Sequence, residues 1–266
     1  MIDSNFIKNS KLPIQNVSRE TLDELNKYSL LILRKNKDMG NAASLANSHR
    51  EKEFFKKYLS GSVLDIGAGA DPVVPNAHIF DLPQGDANHI LDYLKPNTFD
   101  CVHSSHCLEH MHNPKKALRD WWKLVKPDGY LITIVPHEDL YEQFNWPSIF
   151  NKDHKATFRM NGNDSWSPVS INIYEECKKL NQCEIISCKL WDTNFDYELL
   201  FPRNKKPKNH RVFWNRQVSS IARRIKNRGL RKKFLQFQLS RGYPIDQTSK
   251  SDALAQLELV CKKNSK

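Results

Sequence analysis

Residues 62–72 read SVLDIGAGADP. Val63, Leu64 and Ile66 form a short apolar run that breaks at once into glycine, the pattern of a buried strand ending in a tight bend. Such a strand delivers Asp65 to its end, and Gly67 and Gly69 let the backbone approach a ligand with no Cβ in the way. The bend fits a nucleotide, but not in either of the two commonest ways. A dinucleotide fingerprint requires a third glycine where Pro72 stands, and no Gly-Lys-Ser/Thr follows to make a phosphate loop.

Outward from this bend, strand and helix patterns alternate. HIFDL (78–82) and FDCVHSS (99–105) read as strands, and a helix starts at Asn113 with Pro114 in its first position. KPDGYLITIVP (126–136) reads as a turn and a buried strand, and Ser167-Pro168 is expected to start a helix through SINIYEECKKL. CEIISCKLWD (183–192) and DALAQLELVCKK (252–263) are two further strands, the last expected to insert antiparallel. Alternation of this kind implies an α/β, doubly wound, mostly parallel sheet. The first sixty residues read as a helical extension, with S/T-x-x-E capping boxes at Thr21–Glu24 and Ser48–Glu51. Residues 61–266 then form the main domain, interrupted by a polar, aromatic loop at 136–170 and a basic helical insertion at 202–247.

The chain of 266 residues carries a net charge of +11, which looks like a nucleic-acid signature until it is located. Between Arg203 and Arg241 there are 14 Lys or Arg and no acid, leaving 27 basic against 30 acidic residues elsewhere, a net charge of −3. The six cysteines form no C-x-x-C pair and sit in apolar or mixed segments, as buried thiols of a reducing compartment do. No signal-peptide pattern opens the chain and no apolar run is long enough to cross a bilayer, so a cytoplasmic protein is expected.

The run from 62 to 137 resembles the class I S-adenosylmethionine-dependent methyltransferases: VLDIGAG as the cofactor loop, FDCVHSSHCLEH as a central strand with its loop, and ALRDWWKLVKPDGYLITIVP as helix, turn and strand. The departures are Asp71, where a third glycine often sits, and a very short interval after the second strand. The resemblance implies a seven-stranded Rossmann-like sheet with S-adenosyl-L-methionine as cofactor. It further implies that Asp65, Gly67, Ala68 and Gly69 hold the amino-acid part, Asp81 the ribose, and Asp86 and Ala87 the adenine, with Asp92 a competitor for that last role. Ser104 and Ser105 would pass beside the cofactor.

SSHCLEHMHNP (104–114) also spells H-x-x-E-H, an inverted zinc-protease signature. That site needs both histidines on one helix face, whereas here the motif follows a strand directly and Asn113-Pro114 resets the chain three residues later. Some quinone-pathway O-methyltransferases that look similar carry metal ligands at the positions of His106, Glu109 and His110. Hard cations prefer more oxygens than this loop supplies, and no metal is assigned from the sequence.

For methyl transfer to a hydroxyl, His106 is the first expected base and His154 the second, with His110 beside them. The loop EDLYEQFNWPS…NKDHK resembles methyltransferases of bacterial surface-polysaccharide and related sugar pathways, which implies acceptor contacts from Tyr141, Glu142, Trp146, Asn151, Asp153 and Lys155. A tryptophan beside carboxylates and amides suits a sugar, or another small polar or phosphorylated metabolite, methylated on oxygen or less readily on nitrogen. In the basic insertion, Trp214, Val218, Ile221 and Ile225 share one helical stripe with Arg216, Arg223, Arg224, Lys226 and Arg228 mostly on other faces, a pattern for an anionic membrane surface. The same charge also suits RNA, and a non-catalytic scaffold of this fold is a third reading.

Overall fold

Strand β1 (Val63–Ile66) is buried on both faces, as Val63, Leu64 and Ile66 suit in a central parallel strand, with Asp65 its one polar residue. It pairs in parallel with β2 (His78–Phe80) on one side and β3 (Phe99–Ser105) on the other. These relations come from a computed structural model that describes residues 46–162, 164–207, 221–222, 224–249 and 252–265. β4 (Val125–Pro136) extends the parallel set, and β8 (Gln256–Lys263) inserts antiparallel between β4 and β7 (Cys183–Trp191), giving the order β2-β1-β3-β4-β8-β7.

The sheet has six strands among the described residues, not the seven expected. No strand lies between Phe80 and Phe99; the interval holds 3-10 turns at Ala87–Asp92. A parallel crossover takes a dozen or more residues before another strand can begin. Pro83, Gly85 and Pro96 also punctuate what little chain is available.

Helix α1 (Lys52–Tyr58) precedes β1, and its N-cap is Glu51, without a side-chain cap bond. The Ser48 capping box therefore does not start it. Arg50 is committed elsewhere: Nη1 donates to Asn47 Oδ1 at 2.6 Å and Nε to Glu258 Oε2 on β8 at 3.0 Å, a buried pair that ties the entering chain to the sheet. The Thr21 box lies outside the described residues.

Helix α2 (Pro114–Leu124) starts as expected, with Asn113 Oδ1 accepting from Lys116 N at 3.0 Å. It covers one face of the sheet through Ala117, Leu118, Trp121 and Leu124, and each indole N–H finds a carbonyl: Trp121 Nε1 to Ala87 O at 3.1 Å, Trp122 Nε1 to Asn181 O at 3.0 Å. The helix expected from Ser167 begins later. Ser170–Asn172 forms β6, parallel to β5 (Thr157–Arg159), and α3 (Ile173–Lys178) starts where Asn172 Oδ1 accepts from Glu175 N at 3.2 Å. The buried Glu138 carboxylate holds this small sheet through the hydroxyls of Thr157, Ser165 and Ser170, a hub with no local signal in the sequence.

In the basic insertion, α4 (Arg228–Ser240) buries Leu235 and Leu239 against Leu199, Phe201, Ala222 and Ile245, while Ile221, Leu230 and Phe237 are exposed. Trp214, Arg216, Val218 and Arg223 lie outside the described residues. No helix among those described is long and apolar enough to cross a membrane.

Candidate active site

Parallel register sets Ile66 opposite Ser104, so the glycine bend after β1 and the loop after β3 leave the sheet at the same carboxyl edge, where α/β sheets place their ligands. Gly67 has φ +76°, and a Cβ there would lie 2.7 Å from Cys107 Cβ, so both conformation and contact demand glycine. Its N–H donates to Phe80 O at 2.8 Å. The turn continues through Ala68, whose carbonyl accepts from Asp71 N at 3.1 Å, to Gly69 at φ +58°.

Gly69 faces open space: apart from its chain neighbours, no atom of the described residues lies within 4 Å of where its Cβ would be. Its N–H donates to Asp81 Oδ2 at 2.9 Å, and Leu82 N donates to Asp81 Oδ1 at 2.7 Å. Asp65, 2 % exposed, works from beneath: Oδ2 accepts from Val73 N at 2.7 Å, and Oδ1 meets His103 Nδ1 at 2.6 Å. His103 was not among the expected residues, although the register pairs it with Asp65 across β1 and β3. The Ser105 hydroxyl is buried without a hydrogen-bond partner among the described residues, while that of Ser104 lies against the Cys107 thiol. A nucleoside cofactor fits this arrangement, with space over Gly69, a carboxylate at its edge and an unsatisfied hydroxyl at its wall.

Asp86 and Ala87 begin the 3-10 segment. Asp86 Oδ1 accepts from Asn88 N at 2.9 Å as its cap, and Asn88 Oδ1 accepts from His112 N at 2.8 Å, which ties this segment to the loop after β3. Asp92, the competitor, is exposed at the segment's other end.

The H-x-x-E-H letters do not form a helix face. His106 has φ +52° at the end of β3, and Leu108–His110 is one 3-10 turn. The loop at 136–170 closes over that turn, with Lys155 N donating to Glu109 O at 2.7 Å, and so brings His154 to it. The Glu109 side chain is 1 % exposed, and His106 Nδ1, His110 Nε2 and His154 Nε2 stand 3.6, 3.9 and 4.0 Å from its Oε1. Each imidazole is held from behind: His106 Nε2 by Gln256 Oε1 at 2.8 Å, His110 Nδ1 by Asp153 Oδ2 at 2.9 Å, His154 Nδ1 by Glu142 Oε1 at 2.6 Å. Burial disfavours charge on His106, but Glu109 beside it outweighs burial and raises its pKa. Burial likewise opposes charge on Glu109, and the histidines facing it, His106 foremost, hold its carboxyl below the ordinary range.

Of the expected acceptor residues, Tyr141 stacks near His154 at 5.2 Å between ring centroids, and Asp153 and Lys155 pair at 3.0 Å on the open side of His110. Glu142 is buried against His154. Trp146 is half-buried farther along the loop, and Asn151 turns its Oδ1 back to Asp153 N at 3.1 Å. Gln256 entered no sequence reading, since its contact with His106 spans 150 residues.

A family model described as a methyltransferase domain matches residues 39–231. No curated protein matches the chain. Among solved structures, it is similar to the YcgJ protein of Bacillus subtilis, at 14 % identity and a TM-score of 0.45, with 85 % of this chain and 99 % of that one covered. It is also similar to an S-adenosylmethionine-dependent methyltransferase from Archaeoglobus fulgidus, at 14 % identity and a TM-score of 0.43, covering 88 % and 99 %. A third is a Haemonchus contortus phosphoethanolamine N-methyltransferase in complex with phosphomonomethylethanolamine and S-adenosylhomocysteine, at 15 % identity and a TM-score of 0.43, covering 83 % and 53 %. Likeness at this level speaks to neither acceptor nor site residues.

Proposed function

Since the chain belongs to the methyltransferase-domain family and its methyl donor is S-adenosylmethionine, we propose that it methylates a hydroxyl of a sugar or another small polar metabolite. The observation that carries this reading is the Glu109-centred histidine cluster, built onto the same sheet edge as the glycine bend and joined to it through the Cys107–Gly67 contact. Methyl transfer is an in-line displacement at a sulfonium carbon with a neutral thioether leaving. The leaving group needs no acid. A hydroxyl acceptor needs a base, and an amine acceptor would have less use for three imidazoles around a carboxylate.

In this reading His106 takes the hydroxyl proton at Nδ1. Gln256 Oε1 accepts at Nε2 and so fixes Nδ1 as the basic nitrogen, and Glu109 at 3.6 Å stabilises the imidazolium that forms. Tyr141, Asp153 and Lys155 border the acceptor space, with Trp146 and Asn151 farther out on the same loop, while Glu142 and Asp153 orient His154 and His110. Asp81 receives the ribose hydroxyls, Gly67–Gly69 and Asp65 shape the seat of the amino-acid end, and Asp86 with Ala87 flanks the adenine. The exposed Ile221, Leu230 and Phe237 among basic residues support contact with an anionic membrane surface, where a lipid-linked glycan would be met.

Incubating the protein with methyl-labelled S-adenosylmethionine and fractionated cell extract tests the acceptor. A labelled, base-stable ether on a small saccharide is the expected product; label confined to RNA would overturn the reading. The ribose assignment is checked separately. Asp81→Ala should weaken cofactor binding in calorimetry by about 1.5 to 3 kcal/mol, the scale of hydrogen bonds lost to a charged group. An unchanged dissociation constant would remove Asp81 from that role.

A further inference from the structure

We propose that Glu109, His110 and His154 form a binding site for a divalent first-row transition ion such as Zn²⁺, with Asp153 and Glu142 as its outer carboxylates. One donor atom from each of the three residues lies within 4.8 Å of the other two. Donors of a single ion, each at about 2.0 to 2.2 Å from it, stand roughly 3 to 4 Å apart, a spacing that small imidazole rotations reach from 3.9 and 4.0 Å.

The hydrogen-bond inventory points the same way. Asp153 Oδ2 and Glu142 Oε1 are acceptors only, so His110 and His154 each place their N–H at Nδ1. Both Nε2 lone pairs are then left aimed at Glu109, whose two buried oxygens have no hydrogen-bond partner among the described residues. Three acceptors converge, and the nearest donor, His106 Nδ1, stands beside Glu109 at 3.6 Å, beyond ordinary hydrogen-bond length. A cation resolves this, and carboxylates bonded to the far nitrogen of each imidazole are the usual means of orienting metal-bound histidine. Two imidazoles and one carboxylate favour zinc, iron or a similar ion over magnesium or calcium, which seek oxygen.

His154 decides the matter. It is absent from the H-x-x-E-H spelling and arrives from another loop, so the site follows from the fold and was not assigned from the sequence. Three protein ligands leave further positions vacant, and the His110 side chain, 25 % exposed, marks the open side. His106 Nδ1, 3.6 Å from Glu109, stays outside the ligand set and remains available as base. Binding of the ion stands on this geometry alone; only its place beside the acceptor rests on the methyl-transfer reading.

The test uses the full chain, stripped with a chelator and titrated with Zn²⁺, with metal content measured by atomic emission and Co²⁺ substitution read in the visible spectrum. One ion per chain and a low-symmetry Co²⁺ spectrum are expected. Glu109→Gln and His154→Gln should each weaken binding by 100-fold or more, and Asp153→Ala by about 10- to 100-fold as an outer partner. Retained S-adenosylmethionine binding in calorimetry certifies that each variant is folded. Uptake far below one ion per chain by wild-type protein that still binds the cofactor would overturn the metal site and leave methyl transfer standing. Uptake that survives in both Gln variants would place the metal elsewhere and overturn it equally. Stoichiometric, Glu109-dependent uptake by a chain that fails to bind the cofactor would uphold the site and remove the methyl-transfer reading instead.

Discussion

Replacing His106 by alanine should lower turnover by about 100- to 10,000-fold, the range over which a positioned general base contributes, while S-adenosylmethionine binds with nearly unchanged affinity. The separation follows from where the side chain sits. His106 leaves β3 at φ +52°, with its ring between Gln256 on β8 and Glu109 on the 3-10 turn. Those two side-chain partners are not the ones that shape the glycine bend, where Gly69 is bonded to Asp81, and Asp65 to Val73 and His103. Initial rates at saturating cofactor, together with calorimetry on the same variant, decide the point. If kcat and cofactor affinity fell together, His106 would be a support for the loop and not a base. His106→Gln sharpens the comparison, because an amide can preserve the contact with Gln256 but cannot accept the proton, so a structural role would be rescued by it and a basic role would not.

What could be read from the chain divides along physical lines. Segments whose side chains meet one uniform environment were legible. Val63, Leu64 and Ile66 are apolar because β1 is buried on both faces, and Asn113-Pro114 announces a helix start because cap and first-turn geometry are local. Among the described residues the seventh strand implied by the resemblance is not found, and the short interval after β2 leaves little room for the crossover it would need. Ser167-Pro168 reads as a helix start, yet Ser170–Asn172 pairs with β5, and there Glu138 accepts from the hydroxyls of Ser165 and Ser170. In the site, His106, Glu109 and His110 were visible as a group because they are neighbours in sequence. Glu142 reads as an acceptor contact in a polar loop, and its burial goes with a hydrogen bond to His154 that no local pattern announces. Gln256 was invisible, since nothing near residue 256 encodes a partner on β3. His103 was within reach, had the parallel register of β1 against β3 been written out.

That overlooked pair carries the largest stability effect expected here. Asp65→Ala should destabilise the fold by about 3 to 5 kcal/mol, the usual cost of breaking a buried polar pair by removing one partner. Three losses coincide. His103, 1 % exposed and set in the middle of β3, loses its partner at Nδ1, and its Nε2 already has none among the described residues. Val73 N–H, which donates to the other carboxylate oxygen, is left buried and unsatisfied. A cavity opens on the sheet face that Asp65 shares with Val63, Val73 and Cys101. For a chain of this size the change corresponds to a fall in Tm of roughly 6 to 15 °C, measurable by calorimetry or circular dichroism. Asp65→Asn should lose less, because an amide oxygen can still accept from Val73 while the amide nitrogen meets the histidine. A fall under about 2 °C for the alanine variant would mean that the bend after β1 holds its shape without Asp65, and that the glycines and their contact with Cys107 suffice to form the cofactor seat.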